Sequence, residues 1–87
     1  MILYVKTGCP WCVDASRWLH RKEIPFEEID VFQVPGAFEK MRQISGQSMA
    51  PTLELENGEV LADFDVGQLA PFLTTHGILP SSVARPS

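Results

Sequence analysis

The chain has 87 residues and a formal net charge of −4, with 45% hydrophobic and 21% charged side chains. This length suits one small domain with one core, and the composition is that of a globular protein rather than a disordered one. The excess of acid lies in residues 43–87, which carry one basic and five acidic side chains. Because binding to nucleic-acid phosphates needs clustered Lys and Arg, we expect no nucleic-acid partner.

The sequence also bears on the compartment. No apolar run approaches the roughly 18 residues of a membrane span, so we expect no membrane segment. Residues 1–6 lack the basic start and the long apolar stretch of a signal peptide, and we therefore expect a cytoplasmic protein. The two cysteines, Cys9 and Cys12, are too close in sequence to form the disulfide framework of a secreted mini-protein.

The first half of the chain predicts a strand, a helix and a second strand. Residues 2–5 form a β-prone run. Cys9 followed by Pro10 is typical of a helix start, because proline at the first helical position gives up no hydrogen bond. Apolar residues at helical spacing follow, and the helix is expected to end before Pro25. Residues 26–31 are predicted to be the second strand.

The second half predicts a helix and then a hairpin. The helix follows Pro35 and ends at Gly46, a residue type that suits the left-handed cap of a helix. Residues 52–56 alternate between apolar and polar side chains, as in a half-buried strand. An Asn-Gly turn at 57–58 is a strong hairpin signal, and residues 59–62 are the predicted returning strand.

A third helix is predicted after this hairpin. Asp65 is a suitable N-cap, Pro71 predicts a kink or an irregular first turn, and Gly77 ends the helix. Residues 79–87 are rich in Pro and Ser and are expected to be a flexible tail, which places the folded domain at residues 1–78.

This order of elements, β-α-β-α-β-β-α, predicts an α/β fold. The first two strands are joined by a helix and should be parallel, whereas the last two form an antiparallel hairpin. We therefore expect a four-stranded mixed sheet with helices on both faces.

The chemistry is concentrated in the segment Cys9-Pro10-Trp11-Cys12. At the N-cap, the Cys9 sulfur would face the N–H groups of Trp11 and Cys12 at the positive end of the helix dipole. Lys6 adds a nearby positive charge, and both effects favour the thiolate that thiol–disulfide exchange requires. Cys12 lies one turn further along and further inward, so it is placed to attack a mixed disulfide on Cys9.

A second element lies just before the third strand. A proline in this position, beside a Cys-x-x-Cys motif, favours a cis Ala50–Pro51 peptide bond. In cis, Pro51 would pack against the cysteine pair. Ala50 would then present its main-chain N–H and C=O to an extended substrate, as in strand addition.

Taken together, these features resemble the glutaredoxin family over about residues 1–78. The shared features are a strand at the start, a lysine three residues before the first cysteine, Cys-Pro-aromatic-Cys, the proline before strand three, the Asn-Gly hairpin and an aspartate opening the last helix. The resemblance implies a thioredoxin-like fold and a thiol–disulfide oxidoreductase. Thioredoxin itself fits less well, because it has an extra N-terminal strand and helix and a Gly-Pro between its cysteines.

The resemblance also implies residue roles. Cys9 would be the nucleophile and Cys12 the resolving thiol, acting on disulfide-containing proteins and glutathione mixed disulfides. Glutathione would be the co-substrate, regenerated indirectly by glutathione reductase, and we expect no bound cofactor or metal and a monomeric protein. Lys6 would neutralise a glutathione carboxylate, and the N–H groups of Phe64 and Asp65 would receive its γ-glutamyl end. The full set of implied glutathione-binding residues is Lys6, Trp11, Ala50, Pro51, Phe64 and Asp65.

Three departures from the family pattern bear on glutathione. Ala62-Asp63 replaces the usual Gly-Gly before the last helix, and Asp63 adds negative charge where an anion should lie. Met49-Ala50 replaces the usual threonine and valine before the proline. Phe38 stands on the second helix, where glutamine or arginine often contacts glutathione.

Two alternative functions stay open at this point. Ala50-Pro51 and the phenylalanine between two aspartates also resemble the glutaredoxin-like electron donors to ribonucleotide reductase, which thioredoxin reductase recycles. The other alternative is a non-enzymatic protein that binds a glutathione-ligated iron–sulfur cluster. A structural zinc site would need about four ligands, and only His20 and His76 could join the cysteines.

Overall fold

Four short strands form the centre of the structure, a computed structural model that describes residues 1–78. The strands are β1 (Ile2–Val5), β2 (Glu27–Asp30), β3 (Thr52–Glu54) and β4 (Val60–Ala62). They lie in the order β2-β1-β3-β4, with β1 and β2 parallel and the other neighbours antiparallel. The predicted four-stranded mixed sheet is confirmed, and the tail predicted over residues 79–87 lies outside the described residues.

Three helices cover the sheet: α1 (Pro10–Arg21), α2 (Ala37–Ser45) and α3 (Leu69–Thr75). A 3₁₀ turn over Val66–Gln68 leads directly into α3, as expected from the proline in its first turn. Among the helices that the structure describes in residues 1–78, none combines the length and apolar character needed to cross a membrane.

Two groups of buried side chains lie on opposite faces of the sheet, because successive residues of a strand point to opposite sides. Leu3 and Val5 face α1 and α3, whereas Tyr4 faces α2. The larger group, the main core, contains Leu3, Val5, Cys12, Ala15, Leu19, Ile24, Leu53, Leu55, Phe64, Leu69 and Leu73. The smaller group, the α2-side core, contains Tyr4, Val31, Ala37 and Met41. The predicted placement of helices on both faces is therefore confirmed.

Tyr4 brings a polar group into the α2-side core. Its hydroxyl donates a hydrogen bond of 3.2 Å to Glu54 Oε1 on the neighbouring strand. Burial, followed by the charge of Glu54, raises the pKa of Tyr4 to about 12. The phenol therefore stays neutral and links β1 to β3 throughout the physiological pH range.

Candidate active site

The first turn of α1 holds the cysteine pair. Cys9 is the N-cap, with extended backbone angles, and Pro10 is the first helical residue. The Cys12 N–H donates to Cys9 Sγ over 3.2 Å, so the sulfur accepts from one of the free N–H groups at the helix start. The predicted position of Cys9 at the positive end of the helix is thereby confirmed.

The two sulfurs are joined in a disulfide and differ in their access to solvent. The Cα atoms of Cys9 and Cys12 lie 5.2 Å apart, within the range that a disulfide spans. Cys12 is 3% exposed and belongs to the main core, whereas Cys9 is only partly buried. An incoming thiolate therefore reaches the Cys9 sulfur first, and Cys12 is shielded behind it.

A bend in the chain before β3 closes one side of this pair. The Ala50–Pro51 bond is cis, as the sequence context predicts. The carbonyl oxygen of Ala50 lies 3.9 Å from Cys9 Sγ, and Pro51 is buried. Thr52 Oγ1 donates to the carbonyl of Met49 over 2.9 Å, which braces the bend from within. The Ala50 main chain is thus held beside the reactive sulfur.

A groove of about 350 Å³ opens beside the bend. Its lining residues are Trp11, Met49, Ala50, Pro51, Asp63, Phe64, Asp65 and Gln68. Five of the six residues implied as glutathione contacts are brought together here, and Lys6 is the one that does not line the groove. Met49 also lines the groove, although the sequence analysis noted it only as a departure from the family pattern; Gln68 was not predicted there, since it belongs to no motif. Asp63 also lines the groove, so its negative charge lies in the region where the family resemblance implies that an anion binds.

Asp65 and Gln68 form a reciprocal cap at the start of the 3₁₀ turn. Asp65 Oδ1 accepts from the Gly67 N–H over 2.9 Å, and the Asp65 N–H donates to Gln68 Oε1 over 3.0 Å. This is a capping box, and it confirms the predicted N-cap. The Asp65 N–H is therefore already engaged, and a ligand that uses this donor has to displace the Gln68 side chain.

Lys6 lies on a pair of aromatic rings. Its Nζ is 5.8 Å from the ring centroid of Phe32 and 5.7 Å from that of Phe38, within cation–π range. The two rings stack with centroids 6.1 Å apart. Phe32 was not predicted as a site residue from the sequence, because it lies in a connection and is brought beside Lys6 by the pairing of β1 with β2.

Asp30 ties together the two connections next to the disulfide. Its carboxylate accepts hydrogen bonds from the Thr7 hydroxyl and from the Phe32 N–H. The Thr7 hydroxyl, followed by this N–H, holds the pKa of Asp30 below its usual range. Thr7 precedes the cysteine motif, so Asp30 restrains the loop that carries Cys9.

The two histidines stand apart from the cysteines. His20 packs against Phe26 with ring centroids 5.0 Å apart, and His76 packs against Phe72 at 4.7 Å. Within residues 1–78, the structure brings no three His, Cys, Asp or Glu side chains together as metal ligands.

A mixed four-stranded sheet, with a redox disulfide at the N-terminus of the first helix and a cis-proline facing it, defines a thiol–disulfide oxidoreductase of thioredoxin-like fold. The glutaredoxin family model matches residues 1–61 of the chain. The chain therefore belongs to the glutaredoxin family.

Individual relatives agree with this assignment. An uncharacterised glutaredoxin-like 8.6 kDa protein from the rubredoxin operon of Clostridium pasteurianum is 28% identical, covering 77% of this chain and 88% of the relative. A glutaredoxin of Neisseria meningitidis is 38% identical, covering 59% of this chain and 61% of the relative. Among solved structures, the thioredoxin-like protein BC3987 superposes with a TM-score of 0.74 at 28% identity, covering 83% of this chain and 97% of that one. Glutaredoxin from Brucella melitensis superposes with a TM-score of 0.67 at 28% identity, covering 93% of this chain and 88% of that one.

Proposed function

We propose that this protein reduces protein disulfides and glutathione mixed disulfides, with glutathione as its electron donor. The observation that carries the proposal is the partly exposed Cys9 sulfur, which lies at a helix N-terminus beside the groove of about 350 Å³. A glutaredoxin from buckwheat, which shares the fold at a TM-score of 0.64 and 19% identity, has been solved in complex with glutathione.

Reduction of a target proceeds by two exchanges. The Cys9 thiolate attacks one sulfur of the target disulfide, forms a Cys9–target mixed disulfide and releases the other target sulfur as a thiolate. The Cys12 thiolate then attacks Cys9 Sγ, forms the Cys9–Cys12 disulfide and releases the second target thiolate. The target gains two electrons and two protons, and the protein dithiol loses them.

Glutathione returns the protein to its reduced form. One glutathione thiolate attacks Cys9 Sγ, forms a glutathione mixed disulfide and frees Cys12. A second glutathione attacks that mixed disulfide, releases oxidised glutathione and restores the Cys9 thiolate, while glutathione reductase recycles the product with NADPH. All the groups in this cycle come from one chain, so we propose a monomer that works in the reducing cytoplasm.

The test is reduction of a glutathione mixed disulfide with two electron sources in parallel, glutathione plus glutathione reductase or thioredoxin reductase, with NADPH consumption as the readout. We expect turnover with glutathione. Turnover with thioredoxin reductase alone would instead place the protein among the electron donors to ribonucleotide reductase. Silence with both would favour cluster binding, which the absorbance of the freshly purified protein would reveal.

Two single-cysteine variants test the roles of the sulfurs. Cys9→Ser should lose all activity, because the nucleophile is gone. Cys12→Ser should still act on glutathione mixed disulfides, which glutathione itself can resolve, but should lose activity on protein disulfides. Full activity of Cys9→Ser would overturn the assignment of the nucleophile.

A further inference from the structure

Exposed hydrophobic side chains are concentrated at the disulfide end of the molecule. The large hydrophobic residues that are exposed in the described part of the chain are Trp11, Val13, Phe32, Val34, Met49 and Ile78. The first five lie at the start of α1, in the connection after β2 and in the bend before β3. We call these five residues the active-site patch. Ile78 instead lines a cavity with Met1 and Asn57, at the end of the sheet where β1 begins.

This distribution is informative because isolated exposed apolar residues are ordinary on any protein surface, whereas a cluster marks an interaction site. Trp11 is 59% exposed and Phe32 is 61% exposed, so both rings offer most of their area to a partner. Two of its members, Trp11 and Met49, line the groove beside Ala50, whose carbonyl oxygen lies 3.9 Å from Cys9 Sγ. A partner that presents a disulfide to Cys9 therefore covers at least this part of the patch.

The charges beside the patch show which partner fits. Asp63 and Asp65 line the groove and are exposed, and neither takes part in an ion pair within residues 1–78. Lys6 does not line the groove, and its ammonium lies instead over the rings of Phe32 and Phe38. The groove side of the disulfide thus presents two carboxylates and one exposed indole, a combination that complements a basic side chain.

We propose that the site selects protein disulfides in which a Lys or Arg flanks the attacked cysteine and enters the groove, while apolar neighbours cover the active-site patch. This inference rests on the proposed function, since it names the target class of the same site. It concerns the first exchange, in which Cys9 attacks the target, and does not depend on the source of electrons.

A single-turnover experiment isolates that step. Fully reduced protein is mixed with synthetic peptides that each contain one intramolecular disulfide and differ only in a Lys, Gln or Glu beside the attacked cysteine. Acid quenching, thiol alkylation and mass analysis give the rate at which protein dithiol becomes disulfide while peptide disulfide becomes dithiol. At low ionic strength, we expect the Lys peptide to react about tenfold faster than the Glu peptide, with the Gln peptide between them.

A double variant assigns this preference to the groove carboxylates. In Asp63→Asn with Asp65→Asn, the Lys-to-Glu ratio should fall to about twofold or less, because both charges are lost. Asn caps helices as well as Asp does, so the start of α3 is retained. Added salt should narrow the ratio in the unaltered protein but not in the double variant.

A matched pair of variants tests the patch. Val34→Ser should slow reaction with all three peptides by about threefold, because apolar contact area is lost while both aromatic contacts of Lys6 remain. Ile78→Ser removes an apolar side chain of similar exposure, 41% against 45%, at the far end of the molecule and should leave the rates unchanged. Equal rates for the three peptides, or equal effects of the two serine variants, would overturn the inference.

The proposed function can be tested independently of this inference about the target class. A small uncharged disulfide, assayed with glutathione and glutathione reductase, reports coupling to glutathione without using flanking charge. If that disulfide is not reduced while the peptides still show the Lys preference, the electron donor is wrong and the target class stands. If it is reduced while the peptides react alike, only the target class is wrong.

Discussion

Lys6 lies next to the cysteine loop but does not line the groove. Its ammonium lies over the rings of Phe32 and Phe38, and its carbonyl accepts the Cys9 N–H over 3.2 Å. The side chain is therefore held near the cysteine loop by apolar surfaces that do not neutralise it. We propose that a positive charge in this position favours the Cys9 thiolate over the thiol.

Replacing Lys6 by Gln should slow exchange at neutral pH by about threefold to tenfold, because a smaller fraction of Cys9 is ionised. The rate-against-pH profile of a single-turnover reaction with an uncharged disulfide should move to higher pH. Lys6→Arg keeps the charge and should keep the profile. Lys40→Gln, which makes the same charge change on the exposed face of α2, is the control; a profile unchanged in Lys6→Gln would contradict this role.

At this scale, the sequence predicts those site residues whose role follows from chemistry or backbone geometry. Cys9, Cys12 and Pro51 follow from the sequence because a Cys-x-x-Cys motif at a helix start, combined with a proline before a strand, is typical of a redox site. Phe32 and Asp30 do not, because their contacts with Lys6 and Thr7 join distant parts of the chain. These contacts follow from the pairing of β1 with β2, in which Val5 is the partner of Asp30, and no local pattern shows which side chains then meet.

The entry into α3 depends on the capping box described above. The side chains of Asp65 and Gln68 accept hydrogen bonds from the free N–H groups that precede α3. Pro71 occupies the third position of α3. Proline is tolerated there because the first-turn N–H groups have no helical partner. The irregular first turn predicted from Pro71 is confirmed, and it takes the form of the 3₁₀ turn.

Asp65→Ala should lower the free energy of unfolding by about 1 kcal/mol, because the side-chain acceptor for the Gly67 N–H is lost. Asp65→Asn keeps an acceptor and should retain most of the stability. Urea unfolding followed by circular dichroism measures both variants. Equal stability of the Ala and Asn variants would show that the cap contributes nothing.

The hairpin illustrates how far element boundaries follow from sequence. Strand β3 ends at Glu54 rather than at the predicted residue 56. The Leu55 N–H nevertheless donates to the Glu59 carbonyl over 2.9 Å, so pairing continues past the strand. Gly58 has a φ of 91°, a conformation that favours glycine, which is why the Asn-Gly signal located the turn correctly.

On the scale of the whole molecule, the stability in acid should depend on Asp30. Its folded pKa is depressed, so its contribution is present at neutral pH and is lost as the pH falls through the folded pKa. Asp30→Asn should therefore melt at a lower temperature than the unaltered protein at neutral pH, and the difference should vanish in acid. Melting temperatures measured across this pH range test the expectation.

Thr7→Val provides the second arm of this test, because it removes the hydroxyl that donates to Asp30. Combined with Asp30→Asn, it should add little further destabilisation, since both changes break the same contact. Fully additive effects would mean that the two side chains act independently.

The architecture itself was predictable because local and global signals agree. A helix between the first two strands requires them to be parallel, and the Asn-Gly turn requires the last two to be antiparallel. The division of apolar residues between two faces also follows from the alternation of Leu3, Tyr4 and Val5. The smaller size of the α2-side core was not predicted, because it depends on how few buried side chains α2 contributes.

The exposed position of Trp11 has an optical consequence. Its backbone is part of the ring that the Cys9–Cys12 disulfide closes, so its indole is attached directly to the segment whose bonding changes with the redox state. Trp18 is half-buried on the same helix, with the Lys22 ammonium 5.8 Å from its ring, and contributes a second emission. We therefore expect the fluorescence of the oxidised and reduced proteins to differ, so that the equilibrium with a glutathione buffer can be followed without any label.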